Sequence, residues 1–123
     1  MMAKILVVDD EMSVRELIKE VLSTTPHEVD LVEDGMAAVQ AVRKKDYNVM
    51  IIDRNMPKMT GLEAVTIIRS NPKYQSLKII MCTSVSVTQE VDEAFAAGAN
   101  DYILKPINLK ALLAKVEKAL LTP

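Results

Sequence analysis

The chain has one cysteine and one histidine among its 123 residues. A single thiol, Cys82, rules out an internal disulfide and fits a reducing, cytoplasmic setting. Cys82 lies in the apolar run Ile79-Ile80-Met81-Cys82, which points to a small buried hydrophobe and away from a redox group. His27 follows Pro26 without a second histidine or a ligand set beside it, so it is expected to be a solvated loop residue. No apolar run reaches the roughly 18 residues that a membrane span needs. Met1-Met2-Ala3-Lys4 leads at once into an apolar strand, leaving no room for a signal peptide. Acidic and basic residues are interspersed, with a formal net charge of -2, which gives no electrostatic case for direct nucleic-acid binding. Repeats, low-complexity stretches and linkers are absent as well, so residues 1–123 are expected to form a single domain. The eight methionines are scattered and look like core filling.

What remains is an alternation of two periods. Short apolar segments near 5–8, 29–32, 49–52, 79–82 and 102–104 are rich in β-branched residues and mostly continuous, as in strands covered on both faces. Between them the spacing becomes helical. Val14, Leu17, Ile18, Val21 and Leu22 mark one face, and Val87, Val91, Ala94, Phe95 and Gly98 another. Leu109, Leu112, Leu113, Val116 and Leu120 mark a third, and shorter helices fit 35–45 and 61–70. Pro26 and Pro72 follow the first and third helices, Gly98 ends the fourth, and Asn108 suits the N-cap of the fifth. The pattern predicts an α/β protein with a doubly wound, five-stranded parallel sheet and helices on both faces.

Charge gathers where the strands stop. Asp9 and Asp10 close the first apolar run, Asp53 closes Val49-Met50-Ile51-Ile52, and Lys105 follows Tyr102-Ile103-Leu104. In an open parallel sheet, ligand chemistry collects at the carboxyl ends of the strands. Carboxylates ~5 Å apart at an effective dielectric of ~20 repel by roughly 3 kcal/mol per pair. A hard cation relieves that repulsion, and oxygen-only ligands point to Mg²⁺. A carboxylate can also accept a phosphoryl group as a mixed anhydride. Asp53 would then be the nucleophile, Asp9 and Asp10 the metal ligands, Lys105 a mobile cation and Thr83 a hydroxyl at the same rim. The plainer alternative is that Asp10 caps the first helix with Glu11 favouring its dipole, and Arg54 is expected to be solvated.

Val7-Val8-Asp9-Asp10, Asp53-Arg54-Asn55-Met56-Pro57-Lys58-Met59-Thr60-Gly61, Thr83-Ser84 and Lys105-Pro106 together resemble the receiver domain of two-component response regulators, of the CheY type, over the whole chain. The resemblance implies the flavodoxin-like strand order 2-1-3-4-5 and Mg²⁺ bound by Asp9, Asp10, Asp53 and the backbone carbonyl of Asn55. It implies phosphoryl transfer from a histidine kinase or phosphotransfer protein to Asp53, with Thr83 and Lys105 contacting the phosphoryl group. Tyr102 matches an aromatic switch position that follows Thr83, and the Lys105-Pro106 peptide is expected to be cis. Such a domain is a switch that catalyses only its own phosphorylation and slow dephosphorylation. Val85 and Asn55 flank the path of attacking water and would tune phosphoryl lifetime, while Ile107 stands where an aromatic residue is common.

Output is expected through helix 4, strand 5 and helix 5, to a protein partner or a homodimer. Gln89, Glu90, Asp92 and Glu93 form an acidic ridge there, and Lys110, Lys115 and Lys118 a basic one. An Mg²⁺-dependent aspartyl-phosphate phosphatase is the competing enzyme, but it places its nucleophile on the first strand and leaves Asp53 without a role. A flavin carrier would need a Ser/Thr/Gly-rich phosphate loop where Asp9-Asp10-Glu11 stands.

Overall fold

The computed structural model describes residues 2–84 and 88–123, so the expectations for Val85 and Val87 fall outside the described residues. Elements alternate along the chain as β1 (Lys4–Val8), α1 (Met12–Leu22), β2 (Glu28–Val32), α2 (Gly35–Lys44), β3 (Val49–Asp53) and α3 (Gly61–Arg69). They continue as β4 (Lys78–Thr83), α4 (Thr88–Ala97), β5 (Asp101–Leu104) and α5 (Leu109–Leu121). A short 3₁₀ turn at Pro72–Tyr74, capped by Asn71, lies between α3 and β4. The strands form one parallel sheet in the order β2-β1-β3-β4-β5.

Strand periodicity divides the core into two layers, because successive side chains point to opposite faces. Leu6, Val8, Met50, Ile52, Ile79 and Met81 pack with α2, α3 and Ala94 of α4. Ile5, Val7, Val49, Ile51, Ile80 and Cys82 pack with Ile18 and Leu22 of α1 and Leu112 and Val116 of α5. Both faces of the central strands are therefore dry, which explains their continuous apolar runs. The helices need only narrow stripes, so Leu17 and Phe95, expected on buried faces, are 43 % exposed. Phe95 instead meets Tyr102 edge-on, with centroids 5.9 Å apart. Of the methionines, Met50, Met56 and Met81 fill the core, whereas Met2, Met12 and Met36 are exposed.

Local chemistry sets the helix starts. Asp34 accepts from the Ala37 amide, Asn108 from the Ala111 amide, and Thr60 forms a capping box with Glu63. Asp10 does not cap α1. The N-cap is Glu11, without a side-chain bond of its own, and its amide donates to Asp9 Oδ1 at 2.9 Å. His27 is not a solvated loop residue either: its ring is 4 % exposed. Its Nδ1 accepts from the Ala3 amide at 3.0 Å, and its Nε2 lies 3.1 Å from Glu117 Oε1. Among the described residues no helix is long and apolar enough to cross a membrane.

Candidate functional site

Parallel register brings the strand ends level. Val8 pairs with Ile52, so Asp9 and Asp53 leave the sheet side by side. Asp53 pairs with Cys82 and Thr83 with Leu104, which sets Lys105 one step beyond Thr83. Backbone bonds extend the ladders past their ends: the Arg54 amide donates to the Cys82 carbonyl, and the Lys105 amide to the Thr83 carbonyl, both at 2.8 Å. The Lys105-Pro106 peptide is cis, as expected.

Asp9 and Asp53 are 2 % and 4 % exposed, an uncommon burial for carboxylates. Lys105 compensates both: its Nζ lies 3.0 Å from Asp9 Oδ2 and 3.3 Å from Asp53 Oδ2. Backbone amides hold the other oxygens, Glu11 donating to Asp9 Oδ1 at 2.9 Å and Asn55 to Asp53 Oδ1 at 3.2 Å. Burial pushes the Asp53 carboxyl above the usual carboxylate range, with Lys105 opposing the rise and the Asp9 charge adding to it. Burial alone would lower the Lys105 ammonium, but its bond to Asp9 and the Asp53 and Asp9 charges outweigh that and raise it.

Asp10 is exposed at the mouth. Asp9, Asp10 and Asp53 each offer one oxygen within 4.8 Å of the others. Ligands 2.0–2.1 Å from an octahedral Mg²⁺ lie about 3 Å apart when adjacent and about 4 Å apart when opposite. A small inward movement of these oxygens therefore suits Mg²⁺, and the all-oxygen donor set matches its preference. Thr83 is buried at the same rim. Tyr102 stands apart, between α4 and α5, with the Lys115 ammonium 5.7 Å from its ring centroid. Lys115 also pairs with Asp101 at 2.9 Å, so the basic ridge is presented mainly by the exposed Lys110 and Lys118.

Three contributions escape a reading of the sequence. Arg15, on the first turns of α1, donates from Nη1 to the Asp9 carbonyl at 2.6 Å. Arg54 is no solvated side chain: only 12 % of it is exposed, and it reaches α4. Gly61 lies so close to β3 that a Cβ there would meet the Asp53 carbonyl oxygen at 2.2 Å. The start of α3 therefore presses against the backbone of Asp53. The glycine just inside the Thr60 cap was the available signal, without a partner to interpret it.

The sequence and fold are similar to known ones. A family model for the response regulator receiver domain matches residues 5–117. The chain is 41 % identical over 119 residues to a chemotaxis protein CheY homolog of Campylobacter jejuni, covering 95 % of this chain and 92 % of that protein. It is 41 % identical over 121 residues to the chemotaxis protein CheY1 of Helicobacter pylori, covering 95 % and 96 %. The structure of the chemotaxis response regulator CheY4 of Vibrio cholerae has a TM-score of 0.92 at 35 % identity, over 98 % of this chain and 100 % of that one.

Proposed function

The chain belongs to the response regulator receiver family, the CheY-like signalling switches of two-component systems, and from that premise we propose that Asp53 is its phosphoacceptor. The observation that carries the reading is the pair of buried carboxylates, Asp9 and Asp53, bridged by one ammonium at adjoining strand ends. Residues 1–123 act as one receiver domain. A carboxylate oxygen of Asp53 attacks the phosphorus of a phosphohistidine on a histidine kinase or phosphotransfer protein. The P–O bond forms as the P–N bond breaks, and the electron pair returns to the donor imidazole.

Asp9, Asp10, Asp53 and the Asn55 backbone carbonyl would hold Mg²⁺, which supplies charge neutralisation at the transferring oxygens. The Asn55 amide keeps Asp53 Oδ1 oriented, and the Glu11 amide does the same for Asp9 Oδ1. Lys105 turns from the two carboxylates to the phosphoryl oxygens, and the Thr83 hydroxyl approaches from the end of β4. Tyr102 follows Thr83, and the change is read on the face of α4, β5 and α5 by a protein partner or a second copy of the chain. The phosphatase alternative would use Asp9 as nucleophile and an acid two residues later as general acid, and Glu11, at that position, is exposed.

Incubation with acetyl phosphate or phosphoramidate, with and without Mg²⁺, followed by mass spectrometry, tests the assignment. One phosphoryl adduct on Asp53 is expected, absent in EDTA and absent in Asp53→Asn. Modification of Asp53→Asn at the wild-type level, or equal modification in EDTA, rules it out.

A further inference from the structure

Arg54 follows the candidate phosphoacceptor directly, yet its side chain leaves in the other direction. Along β3, Met50 and Ile52 enter the layer of α2, α3 and α4, whereas Val49 and Ile51 enter the layer of α1 and α5. Arg54 continues the first series just past the strand end, and its side chain arrives at α4. Nη1 donates to the Glu90 carbonyl at 2.8 Å, and Nη2 lies 3.6 Å from Glu93 Oε1.

The backbone of Arg54 is held on both sides. Its amide donates to the Cys82 carbonyl at 2.8 Å, and its carbonyl accepts from the Gly61 amide at 2.9 Å. The residue is thus an arm, anchored at its backbone, between Asp53 and α4. Helix electrostatics give no reason for this contact. Glu90 lies in the first turn of α4, the end of a helix where the macrodipole disfavours a cation. Ordering a long side chain also costs rotamer entropy. What the contact achieves is mechanical: the α4 backbone is tied to the residue beside Asp53.

We propose that Arg54 is a positioning residue that holds α4 in the arrangement of the unmodified protein, so that phosphoryl transfer to Asp53 works against its grip. The proposal rests on Asp53 being the phosphoacceptor. A phosphoryl group adds roughly -2 charge on the preceding residue, and any shift of that backbone is carried along the arm to α4. A contact stronger in one arrangement than in the other biases the equilibrium by that difference. By linkage, removing it tightens binding of any ligand that favours the other arrangement. This route from Asp53 to α4 is separate from the one through Thr83 and Tyr102.

The test compares wild type, Arg54→Ala, Arg54→Lys and Glu93→Gln, titrated with fluoroberyllate and Mg²⁺ and followed by amide NMR. Hydrogen exchange of α4 is read without the mimic. Arg54→Ala is expected to bind the mimic about tenfold more tightly. Its α4 amides should exchange faster before addition, with α1 and α5 unchanged. Arg54→Lys should fall between the two, because an ammonium keeps the charge but lacks the fork that spans a carbonyl and a carboxylate at once. Glu93→Gln, on an exposed position that does not endanger folding, should tighten binding about threefold by removing only the ion pair. Unchanged or weaker mimic binding in Arg54→Ala or Glu93→Gln overturns the proposal while leaving the phosphoacceptor in place. Failure of the wild type to bind the mimic overturns the phosphoacceptor reading and this proposal with it.

Discussion

The two edges of the sheet hold polar groups in opposite ways. At the amino edge of the strands, acceptors are matched to backbone amides and side-chain donors. The His27 ring sits between the Ala3 amide and Glu117. Asn48 Oδ1 accepts the Lys4 amide, and Asn100 Oδ1 accepts the Ile79 amide and an Arg69 guanidinium N–H, each at 2.8 Å. At the carboxyl edge, Asp9, Asp10 and Asp53 gather within reach of one another while Lys105 pairs with Asp9 and Asp53 alone, so negative charge is left over. Satisfied polar groups stabilise and close a surface, whereas a charge surplus in a cleft leaves a demand for a cation or a reaction. The amino edge secures the fold, and the carboxyl edge holds the surplus charge on which the proposed chemistry rests.

The largest effect that would break this contrast is metal-linked stability. A ligand that binds only the folded state at ~100 times its dissociation constant adds about 2.7 kcal/mol. Saturating Mg²⁺ should therefore raise the wild-type Tm by several degrees in a calorimetric scan, and Asp9→Asn should abolish most of that rise. An equal rise in Asp9→Asn would place the metal elsewhere.

Next in size is the amino edge. His27→Ala removes a buried ring and leaves the Ala3 amide without its acceptor, a loss of about 2 kcal/mol in urea unfolding. The yield of acetyl-phosphate adduct at saturating reagent should stay at the wild-type level. A large loss of adduct in the folded variant would show that the two edges are not separable.

The smallest effect sharpens the electrostatics of Asp53. Its carboxyl is raised in the folded protein, so the folded state holds the proton more tightly than the unfolded one. Ionisation therefore costs stability as pH rises from the unfolded value through the folded one, and the full cost stands above that window. Asp53→Asn, which cannot ionise, should be more stable than wild type at neutral pH in the absence of metal, with Tm higher by about 3 °C. The gain should shrink as pH falls toward the unfolded carboxyl value of 3.8. A variant no more stable than wild type at pH 7 would mean that Lys105 fully offsets the burial of Asp53.

The candidate site residues at the rim were legible because each stands at the end of an apolar run, and a parallel sheet gathers such ends at one edge. The structure places Asp9, Asp10, Asp53 and Lys105 together and Thr83 beside them. His27 and Arg54 were misread for a shared reason. Their partners lie 90 residues away at Glu117 and 36 away at Glu90, beyond any local pattern. Phe95 and Leu17 fitted an apolar helical face, but a helix lying on a sheet buries a narrower stripe than its apolar residues span. Gly61 could be placed at a helix start, yet its need for no side chain comes from the Asp53 carbonyl pressed against it.

By itself the sequence determined the alternation of strands and helices, the doubly wound parallel sheet and the acidic edge. These follow from periodicity and from where apolar runs stop, both of which act within a few residues. Only the tertiary structure decided that Lys105 bridges Asp9 and Asp53, that Asp10 remains at the mouth, and that Arg54 reaches across to α4. Those outcomes depend on register between strands and on the angle at which side chains leave the sheet. Electrostatic and hydrogen-bond energies change steeply over an ångström, so charges that look alike along the chain become ligand, counter-ion or tether once packing sets their distances.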